Sequence, residues 1–278
     1  MAPPAQPDRR RRHRSFFSRQ THVKMIPLFW FHPPKTGSVL GITLASYPRS
    51  IHRSLEMHQS LNPKGVAEAV GLFRPSSELL ESAYAQLRLP SETRHCCMSD
   101  WGWNGAQRAA AIRRVSDNMS VEASLGVYRG CQARMLIGHR CMQHMNLSNA
   151  QLRLALDRIS NMRFAGLLSE LSLSVCALNF LQTGDRFILP EQTVSFRAHK
   201  HVLRAGDHVG DKDDAVYRAA KSRFWRDVSK YGINASSCRT KDASFLGSSK
   251  SPSQLVNAIF TAPQSSYYRP ARWWVRGH

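Results

Sequence analysis

The chain has 278 residues, 42% of them hydrophobic, and a formal net charge of +20. This length and apolar content suffice for one sizeable domain with its own core, or for two small ones, and exclude a chain too polar to fold. No run of about 18 apolar residues occurs, so the sequence predicts no membrane-spanning helix.

The positive charge is densest at the two ends of the chain. Residues 1–24 contain seven Lys or Arg and one Asp, and residues 239–278 contain six and one. Such ends are typical of solvated, disordered tails, although a basic surface also favours polyanions such as sulfated glycans, nucleotides or nucleic acid. The sequence therefore predicts a basic arm over 1–24, a folded domain over 25–238 and a largely irregular tail over 239–278. The arm lacks the apolar core of a secretory signal, and an Arg-rich transit peptide is a second interpretation of it.

Residues 26–45 predict a buried strand, a tight turn and a helix. The apolar run 26–31 ends at Pro33-Pro34, because proline has no N–H for a strand ladder. The turn Lys35-Thr36-Gly37-Ser38 follows, and residues 39–45 have helical apolar spacing. Such a junction directs backbone N–H groups and a positive helix end at one point, which suits a phosphate or a phosphosulfate.

The same turn is not a nucleoside triphosphatase loop. That motif, GxxxxGK[ST], places its lysine after the second glycine, whereas Lys35 precedes Gly37. An ATPase or GTPase is therefore disfavoured. A plain strand–helix turn with a solvated lysine is an equally good interpretation of four residues taken alone.

Further along, helical and strand patterns alternate and predict an α/β fold with a mostly parallel sheet, whose ligand lies beyond the carboxyl ends of the strands. Residues 46–75, with three prolines and two glycines, are expected to be irregular, and residues 187–196 to be an edge strand or a loop. A buried strand is expected over 163–168. Helices are expected over 76–87, 106–115, 145–159, 170–181, and from Asp213-Asp214 to Gly232. The helix over 145–159 has Ser148 or Asn149 as its cap. The last helix is expected to turn five residues inward: Val216, Tyr217, Ala220, Phe224 and Val228.

The six cysteines show no C-x-x-C spacing. Adjacent Cys96 and Cys97 have poor geometry for one zinc ion, so no metal is predicted. Buried free thiols are the default expectation, and a Cys131–Cys141 disulfide in an oxidising lumen is an alternative.

Three blocks of the sequence resemble one enzyme family. His32-Pro-Pro-Lys-Thr-Gly-Ser38 resembles the 5′-phosphosulfate loop, H-x-P-K-T-G-[GST], of the carbohydrate sulfotransferases. Gly130-Cys-Gln-Ala-Arg-Met-Leu-Ile-Gly138 and Phe164-Ala-Gly-Leu-Leu-Ser-Glu170 resemble later blocks of the membrane-associated members, in the same order. The resemblance covers roughly residues 25–181, and residues 214–238 are more weakly similar to the last helix of algal-type members.

The resemblance implies a P-loop NTPase-like three-layer fold and 3′-phosphoadenosine-5′-phosphosulfate (PAPS) as sulfate donor, without a metal. It implies a glycan acceptor and a Golgi location, with Lys35, Thr36, Gly37 and Ser38 holding the phosphosulfate. The family binds the 3′-phosphate at a strand ending R-[DE]-P, with a serine about eight residues later. Neither R-D-P nor R-E-P occurs here. Residues 100–118 are the expected replacement, with Arg108, Arg113 and Ser116 as the contacts.

The general base implied by the resemblance is His95, with His32, His52 and His58 as rivals. Glu170 is a second candidate or a structural residue, and Arg134 either contacts nucleotide or glycan or forms a buried ion pair. Two alternatives to a sulfotransferase stay open. One is a degenerate member that keeps the fold without turnover, and the other is a polyanion-binding or nucleic-acid-binding protein that acts through its basic tails. No specific nucleic acid is expected, and the oligomeric state is not set by the sequence.

Overall fold

The computed structural model describes residues 28–31, 33, 36, 60–87, 106, 128–141, 143, 145–193 and 212–241. These residues form an α/β fold in which small parallel sheets are flanked by helices. The α/β class and the parallel sheet predicted from the sequence are confirmed. The predicted helix at 39–45, and all of that at 106–115 except Ala106, lie outside the described residues.

Ten helices and strands are considered below, numbered along the described part of the chain. They are β1 (Phe29–Phe31), β2 (Ala69–Phe73), α1 (Ser76–Leu87), α2 (Cys131–Leu136), α3 (Asn149–Asn161), β3 (Phe164–Leu167), α4 (Leu171–Thr183), β4 (Phe187–Ile188), α5 (Lys212–Lys230) and β5 (Arg239–Thr240).

Strand β2 is the centre of the sheet, with β1 and β3 parallel to it on either side. All five of its residues are buried, which is typical of a central parallel strand. The expectation that residues 46–75 are irregular was wrong here. Pro63 precedes the strand and Pro75 follows it, so neither proline interrupts it. Gly71 lets β1 and β2 come close, because a Cβ at this position would lie 2.7 Å from the carbonyl oxygen of Phe31.

The helices predicted from local signals are confirmed at α1, α3, α4 and α5. Helix α3 begins at Asn149, because the side chain of Ser148 accepts from the N–H of Gln151 while the Gln151 side chain accepts from the N–H of Ser148. Helix α4 ends at Gly184, whose φ of 77° suits glycine. Helix α5 buries the inward-facing residues predicted for it, apart from half-buried Tyr217.

A second, two-stranded parallel sheet joins β4 to β5. The N–H of Lys241 donates to the carbonyl of Ile188 at 3.0 Å, and its ammonium pairs with Asp185 at 2.9 Å. Regular structure therefore continues beyond residue 238, where the sequence analysis placed the end of the domain.

Four of the cysteines form two disulfides, Cys131–Cys141 and Cys176–Cys238. The first was an open alternative. The default of free thiols was wrong for these four residues. Cys176 and Cys238 are 62 residues apart in the sequence, and only the packing of α4 against the segment after α5 brings them together. Cys96 and Cys97 lie outside the described residues.

The helices that the structure describes include no candidate for a membrane span.

Candidate functional site

The carboxyl ends of β1, β2 and β3 lie at one edge of the sheet, because the three strands are parallel and paired in order. Ligands of open α/β sheets bind beyond this edge. The turn from Pro33 to Thr36 follows β1, Arg74 follows β2, and Ser169 and Glu170 follow β3. The three segments therefore form the candidate site, called the carboxyl edge below.

The turn after β1 is held closed by Thr36. Its hydroxyl donates to the carbonyl of Pro33 at 2.6 Å, and its N–H donates to the same oxygen at 3.2 Å. Thr36 is fully buried. Its two donors thus close a turn that overlaps the predicted phosphosulfate loop 35–38, and its contact with an anion stays a prediction.

Arg74 is buried directly beyond the end of β2. Its Nε lies 3.1 Å from Oε2 of Glu78, one turn along α1. The side chain of Gln132 clamps the backbone of Arg74: its amide nitrogen donates to the Arg74 carbonyl at 2.8 Å, and its oxygen accepts from the Arg74 N–H at 3.2 Å. Arg74 is therefore held at the carboxyl edge by two helices, by α1 through its guanidinium and by α2 through its backbone.

Two acids at the start of α5 tie three helix ends together. The carboxylate of Asp213 accepts from the N–H groups of Gln132 and Ala133, at 3.1 and 2.8 Å, and that of Asp214 accepts from the N–H of Ser76 at 3.3 Å. Asp213 is fully buried. Helix N-termini attract negative charge, so the protein's own carboxylates occupy the first turns of α1 and α2.

Replacing Asp213 by asparagine is expected to lower the free energy of unfolding by about 2 kcal/mol, because two charge-assisted hydrogen bonds to α2 are weakened or lost. Chemical denaturation followed by circular dichroism measures the change. The matched control is Asp157→Asn on the exposed face of α3, for which a change within about 0.5 kcal/mol is expected. Equal stabilities of the two variants would contradict a structural role for Asp213.

The end of β3 is fixed to α4 and approached by α5. The hydroxyl of Ser174 accepts from the N–H of Leu167 and donates to its carbonyl, both at 2.9 Å. The hydroxyls of Ser169 and Tyr217 lie 3.3 Å apart. Half-buried Glu170 directly precedes α4, and its side chain does not cap the helix. The structure therefore brings Glu170 to the same edge as Arg74 and the turn after β1.

Arg134, from the second family-like block, is buried in α2. Its Nε and Nη2 donate to the carbonyl of Cys141 at 2.9 and 2.6 Å. The Cys131–Cys141 disulfide closes the same segment. These contacts make Arg134 a structural residue that holds the chain after α2, and the predicted contact with nucleotide or glycan stays untested.

Several predicted site residues lie outside the described residues, and their positions stay predictions. They are Lys35, Gly37, Ser38, His95, Arg108, Arg113 and Ser116, together with the alternative bases His32, His52 and His58.

Arg74 and Ser82 were not among the site residues predicted from the sequence. Strand β2 is followed by Arg74 and Pro75, and Ser82 stands eight residues after Arg74 on α1. This is the spacing from arginine to serine of the 3′-phosphate pattern, with the acidic residue between arginine and proline absent. Ser82 is 7% exposed, and its hydroxyl makes no hydrogen bond within the described part of the chain. A search of the sequence for R-D-P or R-E-P passes over this segment, because it lacks the acidic residue.

Two ionisable side chains have displaced pKa values. Burial raises the pKa of Tyr128 well above its ordinary value, so its hydroxyl stays protonated at neutral pH. Burial lowers the pKa of the Arg158 guanidinium, an effect opposed by the neighbouring Asp157 carboxylate. Arg158 Nη1 donates to the carbonyl of Leu136 at 2.6 Å, so the guanidinium joins α3 to the end of α2.

No group of three or more His, Cys, Asp or Glu side chains that could hold a metal ion is found within the described ranges.

Comparisons of the chain with protein-family models, with curated proteins and with solved structures find no match.

Proposed function

We propose that this chain is a PAPS-dependent sulfotransferase with a P-loop-like three-layer fold, acting on a carbohydrate hydroxyl. One observation carries the proposal: the adjacent parallel strands β1 and β2 lead into the two sequence patterns that would bind the two anionic ends of PAPS. Phe31 pairs with Gly71 in the register of these strands, so the turn before Thr36 and the Arg74 segment leave the sheet side by side. Neighbouring strands are about 4.8 Å apart.

The donor fits this arrangement because it carries charge at two places. In the proposed complex the 5′-phosphosulfate lies in the loop of Lys35, Thr36, Gly37 and Ser38. The 3′-phosphate is bound by Arg74 and Ser82, which replace the contacts first expected from Arg108, Arg113 and Ser116. A guanidinium and a hydroxyl are ordinary phosphate ligands, and a buried guanidinium binds an anion more strongly than an exposed one.

The reaction follows from these positions. The acceptor oxygen bonds to sulfur as the bond between sulfur and the bridging phosphate oxygen breaks, and adenosine 3′,5′-bisphosphate leaves. Lys35 stabilises the negative charge that develops on that oxygen. The hydroxyl proton passes to a general base, for which Glu170 at the carboxyl edge and His95 are the candidates. The remainder of catalysis is positioning of donor and acceptor.

The two disulfides favour an oxidising compartment for this activity. Disulfides persist in oxidising compartments and are rare in the cytosol. They agree with the Golgi lumen implied by the family resemblance, which stays part of the proposal.

The proposal is tested by transfer of radiolabelled sulfate from PAPS to a panel of glycan acceptors. Labelled product is expected with at least one acceptor. Binding of adenosine 3′,5′-bisphosphate without any transfer would instead favour the degenerate sulfotransferase. Absence of both binding and transfer would overturn the proposal.

Ser82→Ala is expected to raise KM for PAPS about tenfold, because one hydrogen bond to a charged phosphate is lost. With adenosine 5′-phosphosulfate, which lacks the 3′-phosphate, the same variant should match the native chain. Ser77→Ala on the same helix is the control and should leave both donors unaffected. An equal effect of Ser82→Ala on the two donors would contradict the assigned 3′-phosphate site.

A further inference from the structure

The exposed side of α5 carries cations around an exposed tryptophan. Arg218, Lys221, Trp225, Arg226 and Lys230 are all exposed, Trp225 to 41% of its surface, and they are called the α5 basic face below. A helix rises about 1.5 Å per residue, so the face is about 18 Å long.

The acids of α5 leave these cations uncompensated. Asp213 and Asp214 accept hydrogen bonds from the first turns of α2 and α1, and buried Asp227 pairs with Arg223 at 2.7 Å. Within the described ranges, no salt bridge involves the cations of the α5 basic face. Four positive charges along one helix side repel each other, and a polyanion laid along them would relieve that repulsion.

The α5 basic face begins at the candidate site. At the start of the helix, the Tyr217 hydroxyl lies 3.3 Å from that of Ser169, just beyond β3. Farther along, Arg223 donates to the carbonyls of Ser160 and Met162, which precede β3, at 2.5 and 3.2 Å. Helix α5 therefore runs antiparallel to β3, and its exposed cations lead from the carboxyl edge toward the opposite edge of the sheet.

We propose that the α5 basic face is a docking surface for an anionic glycan, sulfated or uronic, whose chain lies along α5 with one end at the carboxyl edge. The assignment of that end as the sulfate acceptor rests on the proposed function, whereas the docking itself does not. The charge of the face is complementary to regularly spaced sulfates or carboxylates. The indole of Trp225 offers an apolar surface for the C–H face of a sugar ring.

A glycan fits the α5 basic face better than a nucleic acid does. Proteins that bind single strands stack successive bases on several aromatic rings, whereas this face presents one. The two disulfides favour an oxidising compartment, in which glycans are abundant and nucleic acids are not.

The test is calorimetric titration of the full chain with a heparin-derived hexasaccharide, in about 0.15 M salt and without nucleotide. The triple variant R218Q/K221Q/R226Q is expected to bind about tenfold more weakly and with a shallower salt dependence. The control R140Q/R153Q/R163Q removes the same charge from exposed arginines elsewhere and should change affinity by less than about twofold. Mass-spectrometric footprinting should show that the hexasaccharide protects Lys221 from acetylation more than exposed Lys64.

Equal loss of affinity in the two triple variants, or equal acetylation of Lys221 with and without hexasaccharide, would overturn the proposal and assign binding to overall charge or the tails. Tighter binding of a single-stranded RNA of similar charge, lost in R218Q/K221Q/R226Q, would assign the face to nucleic acid instead. These titrations contain no sulfate donor, so their failure is distinguishable from failure of the proposed sulfotransferase activity.

Discussion

Replacing Lys35 with alanine is expected to slow sulfate transfer from PAPS by about 10²–10³-fold, the usual cost of removing one group that stabilises a developing oxyanion. The charge on the bridging oxygen is larger in the transition state than in bound PAPS. The loss should therefore fall mainly on kcat, with a smaller rise in KM. Initial rates with labelled PAPS, measured over a range of donor concentrations, separate the two.

Lys64→Ala is the control for this variant, since Lys64 is an exposed lysine in the 3-10 turn before β2. It should transfer sulfate at the native rate. Thermal unfolding of both variants should match that of the native chain, which separates a chemical effect from a folding defect. Undiminished transfer by Lys35→Ala would show that the lysine takes no part in the reaction. It would also contradict the assignment of the turn after β1 as the phosphosulfate loop.

Removing the Cys176–Cys238 disulfide with two alanine substitutions is expected to lower the free energy of unfolding by about 4 kcal/mol. The bond joins residues 62 apart, so it withdraws much conformational freedom from the unfolded chain. It also joins α4 to the segment that leads into β5, and fraying of the small sheet should accompany its loss. Denaturant titration followed by circular dichroism measures the change.

The Cys131–Cys141 disulfide provides the matched comparison. Its residues are 10 apart, so the same loop-entropy argument gives a smaller loss of about 3 kcal/mol. Reduction of the native chain should give a loss at least as large as that of either double alanine variant. If the Cys176/Cys238 variant were as stable as the native chain, the pairing of α4 with the segment after α5 would be wrong.

Local signals predicted the helices well because each carries its own start and stop. Ser148 with Gln151 begins α3, Gly184 ends α4, and the spacing from Val216 to Val228 defines the buried side of α5. Strand β2 has no such signal. Its apolar residues do not alternate, since both faces are buried, and the flanking prolines favour an irregular segment until pairing with β1 and β3 is known.

The candidate site was less predictable because its contacts join distant parts of the chain. Asp213 was expected to begin α5, but its bonds to Gln132 and Ala133 span about 80 residues and leave no local pattern. The sequence analysis proposed residues 100–118 for the 3′-phosphate, and not the Arg74–Ser82 pair, for a different reason. A motif read letter by letter fails when one residue is missing, and Arg74 becomes a candidate only once the strand that precedes it is known.

The most direct test of the account is calorimetric titration of adenosine 3′,5′-bisphosphate into the native chain, Lys35→Ala and Ser82→Ala, with adenosine 5′-phosphate as the second ligand. The bisphosphate is expected to bind the native chain, and to bind each variant about tenfold more weakly. Ser82→Ala is expected to leave the affinity for adenosine 5′-phosphate unchanged. No binding to the native chain, or equal affinity of all three proteins for the bisphosphate, would contradict a nucleotide site at the carboxyl ends of β1 and β2.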